Sequence, residues 1–156
     1  MRARDKEVTD SAQIDQIIRS CDCCRLGLAD GDRPYIVPMN FGYVREEGKP
    51  VFYFHGARQG RKMDLIRSNG CAGFELDTNH LVHENDRACG YSFRYQSVIG
   101  AGSAAEITDR EEKRLALQHI MEHYSGKSDW NFDDKALDAT AVIRLVADEL
   151  ACKAHK

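Results

Sequence analysis

The chain of 156 residues sets 22 Lys plus Arg against 25 Asp plus Glu, a formal charge of -3, with 42% hydrophobic and 30% charged residues. That size and balance describe a single globular domain over residues 1–156, exclude a mainly disordered chain, and lack the basic excess of a nucleic-acid binder. No apolar run approaches the roughly 20 residues that span a bilayer, and the charged amino terminus MRARDKEVTD has no apolar stretch behind it. It does not read as a signal peptide, so a cytoplasmic protein with no membrane partner is expected.

Thr9-Asp10-Ser11 offers an N-cap, and Ile14, Ile17 and Ile18 share one face, which predicts a short amphipathic helix ending near Ser20. Cys24 to Ala29 alternates as a strand, Asp30-Gly31-Asp32 turns the chain, and Pro34 to Val44 reads as a second strand. Pro38 has no N–H to donate, which argues for an edge, a bulge or a gap in the ladder. Glu46-Glu47-Gly48-Lys49 leads into Val51-Phe52-Tyr53-Phe54-His55, a short strand rich in β-formers. Gly56 to Lys62 is a glycine-bearing loop, Met63, Leu65 and Ile66 mark a short helix, and Asn69-Gly70 stops it.

Cys71 to Asp77 reads as a strand and Thr78 to Gly90 as an irregular, polar loop or lid. Tyr95 to Ile107 is the longest β segment, with Gly100 and Gly102 marking a bend or a close backbone approach. Thr108-Asp109 caps a helix carrying Leu115, Leu117, Ile120, Met121 and Tyr124, and Ala141 to Leu150 closes the chain as a final strand. Six strands joined mostly by short turns imply a mainly β, α+β architecture, an antiparallel barrel with peripheral helices.

The six cysteines include a C-x-x-C spacing at Cys21 to Cys24, but the order here is helix then strand and no second ligand pair follows. A reduced structural thiol cluster is the expected reading, against redox or metal chemistry. His80 and His83 with Glu84 have a metal-ligand spacing without helical periodicity, and His119 and His123 stand i, i+4 on the late helix beside Gln118 and Glu122, which suggests an exposed face. No metal is expected at either pair.

The stretch with the most chemistry is Val51 to Lys62. A strand ends in a loop with Gly56 and Gly60, and Arg61-Lys62 enters a helix. Glycines let backbone N–H groups converge, a helix N-terminus carries partial positive charge, and adjacent cations suit a dianion. The arrangement reads either as a phosphate seat or as a basic surface turn capping a helix. The Walker spacing is not satisfied, which disfavours a nucleoside triphosphatase.

Pro34-Tyr35-Ile36-Val37-Pro38-Met39-Asn40-Phe41-Gly42-Tyr43, then Tyr53-Phe54-His55-Gly56-Ala57 and Gly60-Arg61-Lys62, then Tyr95-Gln96-Ser97-Val98-Ile99-Gly100 follow one another in an order that resembles the pyridoxamine 5'-phosphate oxidase-like flavin-binding split barrels, most closely the nitroimidazole-resistance (Nim-type) branch. The resemblance covers nearly the whole chain. It implies an antiparallel split β-barrel of about six strands that forms a homodimer, with FMN in the groove between subunits. The phosphate turn then falls on Gly60, Arg61 and Lys62, the ring-edge strand on Pro38, Met39 and Asn40, and the partner-subunit strand on Gln96 and Ser97. Phe54, His55 and Gly56 lie where the phosphate turn leaves its strand, with His55 near the ribityl chain or ring and the one candidate for a catalytic role.

Two departures bear on the substrate. Ile36 stands where the true oxidases carry an arginine, and Val142 to Asp148 lacks their Arg-x-His, so vitamin B6 is not the expected substrate. Gly60 replaces a serine donor of the oxidases, and Ala151-Cys152-Lys153 stands where the Nim-type branch has Thr-Gly-Lys. The resemblance therefore implies an FMN-dependent oxidoreductase, a reductase of nitroimidazole-like or other small electrophiles, with Tyr91, Phe93, Arg94 and Trp130 as candidates to line the open face. The alternative is a non-catalytic flavin- or haem-binding module for storage, sensing or sequestration. FAD is a further cofactor option, and His55 is the axial candidate for haem.

Overall fold

The structure, a computed structural model, describes residues 6–155; half of the ten residues on which the reading of the amino terminus rests, 1–5, lie outside it. Its strands are β1 (Glu7–Val8), β2 (Cys24–Asp30), β3 (Arg33–Met39), β4 (Phe41–Glu46), β5 (Lys49–Ala57), β6 (Cys71–His83), β7 (Ser92–Ile107) and β8 (Thr140–His155). The helices are α1 (Ser11–Arg19), α2 (Arg61–Asn69), α3 (Arg110–Ser125) and α4 (Asp134–Ala139), with one 3-10 turn at Ala88–Gly90.

All pairings are antiparallel, in the order β3-β2-β6-β7-β8-β5-β4, with β1 added to the far end of β8. This corrects the expected barrel of about six strands. The molecule is a mixed α+β fold on an eight-stranded sheet that is not closed, because β3 and β4, the two ends of the path, share no ladder. The reason lies at Asn40, the single residue between them. Antiparallel neighbours joined directly need a reversal of about two residues, so a one-residue link carries the chain from one edge to the other without pairing the two. Pro34 and Pro38 lie opposite Ala29 and Arg25 in an unbroken β2–β3 ladder, which places their missing donors on the outer side of β3. The run from Pro34 to Val44 is thus two edge strands.

Two other expectations change. Thr78 to Gly90 is not a loop along its length, since β6 and β7 continue as a two-stranded ribbon pairing Leu81 with Arg94, Val82 with Phe93 and His83 with Ser92 beyond a bulge at Asn79 and His80. The β-formers Leu81, Val82 and Phe93 outweigh the polar neighbours there. The final strand runs to His155, and a second register shift sits at Ala101 and Gly102 of β7.

The main core lies on one face of the sheet, where Phe41, Phe52, Phe54, Leu26, Leu76, Ile143 and Leu145 are fully buried with Ile18 of α1 and Met63 of α2. A smaller core forms on the other face of β5 and β8, where Val51, Tyr53 and Val142 meet Ala116 and Ile120 of α3. Burial on both faces explains the unbroken apolar run in β5. α3 can lie this close because Gly42 has no side chain, a Cβ there falling 2.5 Å from the Ile120 nitrogen. Asp109 accepts from the Glu112 N–H to start that helix, and Asp10 and Asp133 cap α1 and α4 in the same way.

Candidate functional site at the start of helix 2

Gly60 ends the β5–α2 loop with φ +128, a conformation that strains any residue with a side chain, and its carbonyl accepts from the Met63 and Asp64 N–H groups. Unlike the other three α-helices, α2 has no side chain capping its first turn. Its leading N–H groups and the positive end of its dipole are left facing outward.

The two cations of that turn have unequal surroundings. Lys62 is half-buried, because Met63 and Ile66 turn the helix inward, and its Nζ donates to the Met39 Sδ at 3.3 Å. Among the described residues no carboxylate lies within ion-pairing distance of it, and burial holds its pKa below the ordinary lysine value. Gly56 makes room for it, since a Cβ at that position falls 2.8 Å from Nζ. Arg61 is engaged: its Nε donates to Asp30 Oδ2 at 2.6 Å, its Nη2 meets the same oxygen, and its guanidinium lies 4.6 Å from the Tyr35 ring centroid. His55 is exposed at the end of β5, and partial desolvation, then the charge of Lys62, hold its pKa below the usual histidine value.

Met39, Gly56, Gly60, Arg61 and Lys62 are thus brought together, with His55 beside them. Asn40 is exposed at the β3–β4 corner beside Tyr124, whose hydroxyl accepts from the Phe41 N–H and donates to the Asp22 carbonyl. Pro38 is exposed on the outer side of β3, and Phe54 lies wholly inside the core. Gln96 and Ser97 do not join this group within one chain. They pair with Ala154 and Lys153 near one end of β8, whereas His55 pairs with Val142 near the other. Those partners lie about 40 Å apart along the strand at about 3.3 Å per residue. Gln96 Oε1 accepts from Asn79 Nδ2 at 2.5 Å.

Asp30 and Tyr35 are the contributors that sequence reading passed over as site residues. Asp30 reads as a turn residue, and only the β2–β3 hairpin folding against α2 sets it beside Arg61.

The remaining candidates lie elsewhere. Tyr91, Phe93 and Arg94 are exposed on or next to the ribbon, while Trp130 is tied to α3 through Gln118 and Ser125. His80 meets Asp77 at 3.0 Å and stacks on Phe93, and no group of three or more metal-ligating side chains is gathered among the described residues. His119 and His123 face the sheet rather than solvent: His119 stacks on Tyr53, and His123 Nε2 lies 2.7 Å from the Cys21 carbonyl. Cys21, Cys24 and Cys152 are buried, and desolvation pushes the Cys21 thiol up to about 12 and Cys152 to about 11, which keeps both as unreactive thiols. No helix among the described residues is long and apolar enough to cross a membrane.

The family pattern described as pyridoxamine 5'-phosphate oxidase matches residues 10–154. A solved structure from Bacteroides thetaiotaomicron VPI-5482, named for 5-nitroimidazole antibiotic resistance, is 31% identical and superposes with a TM-score of 0.81, covering 94% of this chain and 85% of that one. The flavocytochrome Anf3 of Azotobacter vinelandii shares the fold at 20% identity and a TM-score of 0.81, covering 100% of this chain and 72% of that one. An FAD and heme binding protein of Mycobacterium smegmatis does so at 20% identity and 0.84, covering 97% and 74%. Among curated proteins, none matches the sequence.

Proposed function

The chain belongs to the pyridoxamine 5'-phosphate oxidase family, and from that premise we propose that it binds FMN and acts as an oxidoreductase on nitroimidazole-like or other small electrophilic substrates. The observation that carries the reading is Lys62, a half-buried ammonium at an uncapped helix N-terminus whose side-chain acceptor is a thioether. A cation desolvated without a carboxylate costs stability, and a phosphate dianion is the partner that offsets this. Gly56 and Gly60 fit the same group, one leaving space for the ammonium and the other leaving the α2 amides uncovered.

In this reading Lys62, Arg61 and the first N–H groups of α2 hold the phosphate. Met39 and Asn40 border the ring side, and His55, whose pKa burial and then the Lys62 charge lower, stands beside the ribityl chain. When bound, flavin supplies hydride or electron delivery, and the protein supplies binding, orientation and exclusion of water. The separation of Gln96 and Ser97 from this corner supports a homodimer in which the second copy brings them to the cofactor. An in-register band of small and apolar residues on the outer face of the sheet, Ile36, Gly27, Gly73 and Ala101, supports the same arrangement. In this reading vitamin B6 is not the expected substrate: Ile36 is exposed and uncharged, and Arg144 pairs with Glu46.

The test is a titration of purified protein with FMN and with riboflavin, followed by absorbance and flavin fluorescence. Wild type binds FMN more tightly than riboflavin, and joint replacement Arg61→Ala with Lys62→Ala removes that preference while riboflavin binding persists. Equal losses for both ligands defeat the phosphate assignment. Photoreduction without oxygen followed by a nitroimidazole then separates an enzyme, which reoxidises as the nitro group is consumed, from a storage or sensing module, which stays reduced. A Soret band in fresh protein points instead to haem, which His55 would be the candidate to hold.

A further inference from the structure

The corner that carries this reading contains a carboxylate, Asp30, whose presence beside a phosphate seat needs a reason. A dianion site with an aspartate at its edge loses attraction unless the aspartate does something for one of the cations. We infer that Asp30, with Tyr35, is a positioning pair that holds the Arg61 guanidinium in the orientation that receives the phosphate. The inference rests on the phosphate reading above and adds to it two residues and a role.

The geometry is specific. Asp30 is the last residue of β2 and Tyr35 the third residue of β3, so one hairpin delivers both, paired in register from Cys24 and Met39 to Asp30 and Arg33. Asp30 takes Nε and Nη2 of Arg61 through the single oxygen Oδ2. The guanidinium plane is carried over the Tyr35 ring, 4.6 Å from its centroid. A guanidinium has five N–H donors in a rigid fork. With the Nε edge held, the Nη1 edge remains for a phosphate, and the long arginine side chain, which otherwise samples many rotamers, is set before the ligand arrives. Helix α2 is fixed to the same hairpin a second time, since Asn69 Nδ2 donates to the Ala29 carbonyl at 2.7 Å. The hairpin thus references both ends of the helix.

Lys62 shows the contrast. Its placement needs no carboxylate, because the walls at Met39 and Gly56 confine it. Arg61 is more than half exposed, so without Asp30 its charge stays at the site but its fork is no longer aimed. Two roles for Asp30 then predict opposite signs. A positioning residue helps the phosphate to bind, whereas a competing counter-ion hinders it.

The experiment measures FMN and riboflavin affinities for Asp30→Ala, Asp30→Asn and Arg61→Ala, and for Asp30→Ala combined with Arg61→Ala, in the full chain, with thermal melts to confirm folding. Losing one aimed, charge-assisted contact weakens FMN roughly tenfold, so Asp30→Ala lowers FMN affinity by that factor and leaves riboflavin unchanged. Asp30→Asn retains an acceptor oxygen and sits between Asp30→Ala and wild type; it also suits the turn, so it serves if the alanine variant fails to fold. In the Arg61→Ala background, Asp30→Ala has no further effect, which a merely structural role does not produce. Unchanged or tighter FMN binding in both Asp30 variants overturns the inference while the phosphate reading stands. If joint loss of Arg61 and Lys62 leaves the FMN preference intact, the phosphate reading itself fails and takes this inference with it.

Discussion

Beneath α3, Glu46 accepts from the Tyr53 hydroxyl at 2.8 Å and pairs with Arg144, while His119 stacks on the Tyr53 ring at 5.5 Å. At the start of α2, by contrast, an ammonium faces a sulfur atom and no side chain caps the first turn. Both places look polar and both border β5, but under α3 Arg144 and Glu46 neutralise each other, whereas at α2 Arg61 has Asp30 and, among the described residues, Lys62 has no carboxylate. A closed network stabilises the fold and has little to offer a ligand, because each donor must first leave a partner. An open cation costs the fold something and keeps its charge for what binds. On this criterion the surface cleft lined by Glu46, Tyr53, Glu112 and Arg144 is a structural feature.

The strongest way to break that comparison is Tyr53→Ala. Tyr53 is 5% exposed, and its ring fills the second core between Ile120 and Val142. Truncating a buried aromatic costs about 3–4 kcal/mol, or a drop of about 10 °C in melting temperature for a chain of this size. Flavin titration of the protein that remains folded should be unchanged. A fall in cofactor affinity well beyond the loss of folded protein means that the α3 side takes part in binding, and the division between the two regions collapses.

A gentler probe is Arg144→Met. Glu46 is held below the usual carboxylate range by the Tyr53 hydroxyl and by Arg144, with burial opposing. Both partners of the ion pair are partly exposed, so the pair contributes less than a buried one, and the expected cost is about 1 kcal/mol. Adding Glu46→Gln should restore most of it, since the carboxylate left alone is the main penalty. If the second change deepens the loss instead, the hydrogen bond from Tyr53 matters more than the charge. The melting curve of each variant decides.

Local patterns made much of this molecule legible. The isoleucine spacing of α1, the Asp109 cap of α3 and the Gly60-Arg61-Lys62 step each depend on residues within one turn, and each stands where the sequence places it. What escaped depends on pairing across long separations. Whether the sheet closes turns on one linking residue at Asn40, the ribbon past Asn79 needs its partner strand to outweigh polar composition, and β1 exists through Lys153 and Cys152. The same physics hid Asp30, whose partner lies 31 residues away. His119 and His123 misled because Gln118 and Glu122 beside them suggest solvent, while their own side chains meet the Tyr53 ring and the Cys21 carbonyl.

The smallest effect is also the most local reading of the contrast. His55 and His123 both titrate below the ordinary histidine value near 6.5, but for different company. Desolvation is the first cause for each; at His55 the positive charge of Lys62 adds to it, whereas at His123 the Cys21 carbonyl opposes it. A histidine whose pKa is lower folded than unfolded takes up fewer protons in the native state, so both withdraw stability as pH falls through about 6.5 toward the folded values. Replacing the ammonium by Lys62→Met removes one of the two causes at His55 and none at His123. Proton NMR titration of the two rings should therefore show His55 moving up toward its ordinary value with His123 unmoved, and the acid loss of stability becoming shallower. A stationary His55 means that the Lys62 charge is already neutralised in solution, and the corner at α2 is then no more open than the cluster under α3.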